Sequence, residues 1–188
     1  MSRIKTLPPE LVSKIAAGEV VERPSSVIKE LVENSIDAGA KFISVEIDLG
    51  GAALIRVTDD GSGMSQEDAL LSIQTHTTSK IDKFEDLYNL KTLGFRGEAL
   101  ASISAVSQFT LQTRRNEDIA GTSISKDTSI TKDTTEWKVK EVGCNWGTQV
   151  SVKNLFYNVP ARRKFLRSAM TEYQHILELL ESFALLWP

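Results

Sequence analysis

The chain has 188 residues, 41% of them apolar, enough to bury one sizeable core, and a single domain over residues 1–188 is expected. Charged residues make up 25% and the formal net charge is −3, which excludes a surface given over wholly to a phosphate backbone and leaves any nucleic-acid contact to a local patch. One cysteine excludes an internal disulfide, and with two histidines it cannot build a zinc site, so a reducing cytosol or nucleus fits.

In chain order, Met1 to Lys5 has no apolar stretch behind its charges, and nowhere do about 18 apolar residues run together. A soluble protein that is not secreted and has no membrane partner is expected. Pro24, with Ser25 and Ser26 beside it, opens a run free of Gly and Pro up to Gly39, which predicts a helix of about four turns ending at Ala38. Ile43, Val45, Ile47 and Leu49 then alternate with Ser44, Glu46 and Asp48, and beyond Gly50 and Gly51 Ala53, Ile55 and Val57 alternate with Leu54, Arg56 and Thr58, the pattern of a hairpin with one buried face. Asp59-Asp60-Gly61-Ser62-Gly63 reads as a flexible loop, and Ser65 to Asp68 as a capping box opening a helix to about His76. Leu93-Gly94-Phe95-Arg96-Gly97, expected to be the most mobile stretch, leads into a helix with Leu100, Ile103 and Val106 on one side. Four strands follow, near 108–114, 120–126, 135–142 and 147–154, with a solvated tip at 127–134. Glu172 to Trp187 forms a closing helix that stops at Pro188 with no tail, the pattern of a fragment of a longer chain. No repeat or linker divides the sequence, and the order of elements suggests a mixed sheet with helices on one face.

On the first predicted helix, Glu30, Asn34 and Asp37 share a narrow stripe opposite Val27, Ile28, Leu31, Val32 and Ile36. Such a stripe is by itself the solvated face of an amphipathic helix. A carboxylate and a carboxamide one turn apart can also work together at a phosphate, the amide oxygen on Mg²⁺ and the carboxylate on an attacking water. Asp59, at a strand end, can accept a hydrogen bond from the exocyclic amine of adenine, with Gly61 and Gly63 allowing close backbone approach; the same residues also suit an ordinary turn. Gly94 to Glu98 precedes a helix and can offer amides to phosphate, or serve as an interhelical turn. No G-x-x-x-x-G-K-[ST] string occurs, so a P-loop is excluded.

Several long strings now take on meaning: Ile15-Ala16-Ala17-Gly18-Glu19-Val20-Val21-Glu22-Arg23-Pro24, Lys29-Glu30-Leu31-Val32-Glu33-Asn34-Ser35-Ile36-Asp37-Ala38-Gly39-Ala40, Thr78-Ser79-Lys80, Gly94 to Ile103, and Leu155 to Leu166. Together they resemble the MutL family of DNA mismatch-repair proteins, in the right order over essentially the whole chain. The resemblance implies an N-terminal GHKL ATPase domain of the Bergerat type, an α+β fold (an α/β sandwich) with a mixed, largely antiparallel sheet and helices on one face. Type II topoisomerases, heat-shock chaperones and histidine kinases share that fold. It implies ATP and Mg²⁺ as cofactors, Glu30 as general base, Asn34 as the Mg²⁺ ligand and Asp59 as the adenine reader beside Gly63. Thr78, Ser79 and Lys80 would line the nucleotide pocket. Gly94, Phe95, Arg96, Gly97, Glu98, Ala99 and Leu100 would form the phosphate lid, and Thr148 would support the adenine end. As partners it implies a like or related chain in an ATP-dependent dimer, a mismatch-recognition protein of the MutS type, and DNA. The location would be cytoplasmic in a bacterium and nuclear in a eukaryote.

Two departures matter. The family's D-N-G appears as Asp59-Asp60-Gly61, which removes the N–H donors of a carboxamide. The second subdomain that gives family members a lysine for the γ-phosphate is missing after Pro188, so slow turnover and weakened binding are expected of this chain alone. Arg162, Arg163, Lys164 and Arg167 form a local basic patch that could touch DNA or could be solvated surface. His76 and His175 are expected at helix edges and Cys144 in the core or a strand, none of them chemical. Two rival functions fit part of the pattern: a module that binds ATP without hydrolysing it, and a GHKL chaperone, topoisomerase or kinase.

Overall fold

The computed structural model describes residues 5, 8–78, 93, 94, 97–126 and 137–187. Ser79, Lys80, Phe95, Arg96 and the predicted tip at 127–134 lie outside the described residues.

Helix α1 (Pro9–Val20) is an element the sequence reading did not anticipate. Gly18 lowers its intrinsic helix propensity, and packing compensates: Ala17 and Val21 are buried, and a Cβ on Gly18 would collide with the guanidinium of Arg162. Helix α2 (Pro24–Asp37) runs as predicted from a proline in its first turn and buries Val27, Ile28, Leu31 and Val32 against the sheet. Each of those side chains contributes about 1.5–3 kcal/mol by leaving water.

Strands β1 (Ile43–Asp48) and β2 (Leu54–Asp59) form the predicted hairpin, joined through a short 3-10 turn at Leu49–Gly51. Helix α3 (Gln66–Ser72) starts on the predicted cap, Ser65 Oγ accepting from the Asp68 amide. It ends at Ser72 and not near His76. The Gln74 amide closes a short turn on Leu71, the Thr77 hydroxyl lies 2.6 Å from the Leu71 carbonyl, and His76 has φ +63°, a left-handed conformation that no helix continues through. Helix α4 (Ala99–Ala105) follows, then strands β3 (Gln108–Arg114), β4 (Gly121–Lys126), β5 (Trp137–Val142) and β6 (Gly147–Lys153). A short helix α5 (Pro160–Phe165), also unanticipated, precedes α6 (Ala169–Leu186), which opens on Ser168 and so begins before the predicted Glu172. Cys144 lies in the β5–β6 connection, partly buried against Gly121, and not in a strand.

The six strands form one sheet in the order β1-β2-β6-β3-β4-β5, and the pairings among the described residues are all antiparallel, so the expected mixture resolves into a uniform one. Helices α2 and α4 pack on the sheet, α1 packs on α4, and α6 packs on α2 and on the 3-10 turn. Cross-strand register stacks the covered face in rows. Ile55, Val152 and Phe109 form one row, and Val57, Val150, Leu111 and Ile124 the next. The third row, at the end of the sheet, turns polar: Asp59, Thr148, Thr113 and Thr122. Apolar rows anchor the helices, and the polar row is left to form the floor of a cleft. No helix among the described residues is long and apolar enough to cross a membrane.

Candidate functional site

A cleft of about 1280 Å³ opens above that polar row. One wall is the α2 stripe: Glu30, Asn34 and Asp37 line the cleft. The helix is held with this face inward because its opposite side is committed to the sheet. Glu30 has 27% of its side chain exposed, and the Lys29 ammonium lies 3.7 Å from it and 2.8 Å from Glu33 one turn on. Partial burial disfavours the Lys29 charge, but the hydrogen bond and charge of Glu33, with a smaller contribution from Glu30, hold its pKa above the ordinary value.

Asp59 sits on the floor, 9% exposed, with its carboxylate fixed from three directions. Oδ1 accepts the Gly61 amide at 3.0 Å, an Asx-type turn, and the Thr148 amide from β6 at 3.1 Å; Oδ2 accepts the Ser35 hydroxyl from α2 at 2.8 Å. Thr113, 1% exposed, ties this floor together. Its Oγ1 accepts the Met64 amide at 2.9 Å, lies 3.0 Å from the Thr148 hydroxyl and donates to the Gly147 carbonyl at 3.1 Å. Gly63 has φ +65° and passes so close to the Arg114 carbonyl that any Cβ would collide, so the loop after Asp59 can lie against β3 only with glycine there.

Asp60 has a different job from its neighbour. Its Oδ1 accepts the Lys41 and Phe42 amides at 2.7 and 2.8 Å, clamping the turn into β1. The Phe42 amide first, and then that of Lys41, hold its carboxyl below the usual aspartate range. Asp60 Oδ1 acts here as an acceptor, a role that an Asn oxygen could also fill.

The opposite rim is the segment that leads into α4. Asp37 receives the Leu93 amide on Oδ1 at 3.0 Å and the Gly94 amide on Oδ2 at 3.2 Å, fastening the start of that segment to α2. At its other end Gly97, φ +62°, lies under the Thr77 carbonyl where a Cβ would not fit, and Glu98 pairs with His76 Nδ1 at 3.0 Å. His76 is therefore an exposed tether and not a packed helix-edge residue. Of the residues that the sequence singled out, Glu30, Asn34, Asp59, Gly63, Thr78, Gly94, Gly97, Glu98, Ala99, Leu100 and Thr148 all line this one cleft, although they come from five separate segments. Ser35, Asp37 as an anchor, and Thr113 were missed. Asp37 carried a signal, its place on the stripe, whereas the partners that tie Ser35 and Thr113 into the site lie across the fold.

The basic patch divides. Arg162 turns in toward α1 with its Nη1 buried and without a hydrogen-bond partner, leaving Arg163, Lys164 and Arg167 exposed.

A helix wall of carboxylate and carboxamide, a fixed carboxylate on a β-sheet floor and a glycine-rich rim make up the site, and residues 22–153, which span all three, match the family model described as histidine kinase-, DNA gyrase B- and HSP90-like ATPase. The chain belongs to that ATPase family. Within the family this GHKL domain is similar to MutL, as its long strings suggested. The DNA mismatch repair protein MutL of Geotalea daltonii is 54% identical over 187 residues, 100% of this chain and 30% of the relative. That of Geobacter sulfurreducens is 54% identical over 186 residues, 99% of this chain and 30% of the relative. Among solved structures, the Aquifex aeolicus MutL ATPase domain complexed with ADP aligns with a TM-score of 0.66 at 37% identity, over 88% of this chain and 56% of that one. The N-terminal domain of a DNA repair protein aligns with a TM-score of 0.71 at 28% identity, over 92% of this chain and 48% of that one. The GHKL domain described here thus spans about 30% of the length of the curated relatives it matches.

Proposed function

We propose that the cleft binds ATP and that the chain is the ATP-hydrolysing module of a MutL-type mismatch-repair protein. The observation that carries the proposal is the placement of a fixed Asp59 carboxylate on the floor and of Glu30 with Asn34 on the wall of one cleft. Asp59 accepts the exocyclic amine of adenine. Asn34 and Glu30 stand one helical turn apart where the phosphates then lie, and the rim, to which Thr78, Gly94 and Gly97 to Leu100 contribute, closes over them.

Glu30 accepts a proton from the attacking water while that water's oxygen bonds to the γ-phosphorus and the bond to the β-γ bridging oxygen breaks, releasing ADP and phosphate. No group of three or more His, Cys, Asp or Glu among the described residues is arranged to hold a metal ion by itself. Asn34 lines the cleft, and an amide oxygen is a hard donor that suits Mg²⁺, which takes few protein ligands and completes its shell with water and phosphate oxygens. Asn34 would hold it, and the ion would neutralise charge on the phosphates.

Lys29 is the one lysine or arginine among the described residues lining the cleft, and it is engaged by Glu33 and Glu30. We expect slow turnover by this chain alone, with the cationic charge at the developing phosphoryl group resting on Lys80 and Arg96, which lie outside the described residues. In the longer protein, nucleotide state would drive closure of a dimer with a like or related chain and coupling to a MutS-type partner. DNA would be met weakly through Arg163, Lys164 and Arg167.

Calorimetric titration with ATP and Mg²⁺, paired with a phosphate-release assay on the chain and on Glu30→Ala, tests the reading. Binding by both proteins with release confined to the wild type supports it. Absence of binding by either removes the nucleotide assignment.

A further inference from the structure

We infer that Ser35 is a specificity-determining positioning residue: its hydroxyl sets how many acceptor positions Asp59 has left for the base. The inference rests on the nucleotide reading above and adds a residue to it.

An ionised carboxylate has about four acceptor positions and no donor. Both positions on Asp59 Oδ1 are taken, by the Gly61 amide at 3.0 Å and the Thr148 amide at 3.1 Å, and backbone amides on a strand and a turn cannot rotate away. Oδ2 receives the Ser35 hydroxyl at 2.8 Å. Three donors for four positions leave one, on Oδ2, in a residue that lines the cleft. A single vacant acceptor takes one N–H, as the exocyclic amine of adenine offers, and repels a carbonyl oxygen at the same place.

Ser35 also has a choice. Its one proton can go to Asp59, or to the Leu31 carbonyl one turn back at 3.1 Å, the usual partner of a serine inside a helix. The charged, closer acceptor wins. Ser35 is 3% exposed, so no solvent molecule takes its place while it is present. It stands in α2 between Asn34 and Asp37, and so couples the helix that carries the phosphate-facing residues to the residue that reads the base. Without the hydroxyl, Oδ2 has two open positions, water fills either of them, and the carboxylate loses the contact that fixes its far oxygen. The amine must then compete with water.

The test compares ATP with purine riboside triphosphate, which lacks the exocyclic amine, on the 188-residue wild type and on Ser35→Ala, by calorimetric titration. The wild type should prefer ATP. In Ser35→Ala the ATP affinity should fall roughly tenfold, the scale of a hydrogen bond to a charged group, while the analogue's affinity stays within about twofold. Because the readout is the ratio of two ligands, a partly destabilised variant lowers both affinities and leaves the ratio intact. A variant that keeps the wild-type ratio overturns the role of Ser35 while the nucleotide reading stands. A wild type that binds neither ligand overturns both.

Discussion

Replacing Asp59 with asparagine separates what this residue does for the fold from what it does for the ligand. The carboxylate takes three donors, the Gly61 and Thr148 amides on Oδ1 and the Ser35 hydroxyl on Oδ2. An asparagine oxygen can keep both backbone amides, and its NH₂ then occupies the place of Oδ2. Ser35 can reverse, accepting from that NH₂ and donating to the Leu31 carbonyl at 3.1 Å. Three hydrogen bonds survive. What is lost is the charge that strengthened them, partly offset because an ionised carboxylate no longer has to be desolvated, so the net destabilisation should be about 1 kcal/mol. For a domain of this size that is a fall in Tm of about 2–4 °C. Binding changes far more. The open acceptor becomes a donor facing the amine of adenine, and losing a charged hydrogen bond while opposing two donors should cost about 2–4 kcal/mol, or roughly 30- to 1000-fold in affinity. Calorimetric titration with ATP beside a thermal melt monitored by circular dichroism reads both quantities. An Asp59→Asn protein that melts normally and binds ATP within threefold of the wild type would refute the assignment of Asp59 to the base.

Thr113→Val keeps the side-chain volume but strands the Met64 amide and the Gly147 carbonyl in a site that is 1% exposed, so a loss of about 3 kcal/mol and a Tm lower by about 6–12 °C are expected; an unchanged melt would show that water replaces the hydroxyl. Asp60 has a folded pKa below its unfolded one, so its stabilising effect is complete above about pH 4 and disappears as pH falls through the lower folded value. Asp60→Asn, which retains the acceptor for the Lys41 and Phe42 amides, should bind ATP like the wild type and flatten the dependence of Tm on pH below 4; identical acid limbs would contradict this.

Local patterns carry far because some of the physics is local. Alternation along 43–49 and 53–57 announces strands, since successive side chains leave opposite faces of a strand, and the apolar face of α2 announces the wall it packs on. Ser65 caps α3 through a partner three residues away, and sequence suffices for that. The end of α3 is not legible in the sequence because Thr77 and the left-handed His76 close it off, and neither breaks the apolar pattern. Helix α1 is hard to see in its own sequence because Gly18 lowers helix propensity, and the side chain that packs against Gly18 belongs to an arginine 144 positions further on.

What the sequence by itself determined is the six strands and the helices other than α1 and α5, the family, and the stripe of Glu30, Asn34 and Asp37. Whether that stripe faces water or a ligand could not be settled by periodicity, which separates two sides of a helix but does not say what each side meets. The tertiary structure turns the stripe toward a cleft, setting the sheet's polar end row below it and Gly94 and Gly97 to Leu100 along the rim. The same holds for Asp59, whose partners Ser35 and Thr148 lie 24 and 89 residues away. A carboxylate's orientation depends on every donor around it, and donors that distant become neighbours only when strand register and helix packing are complete.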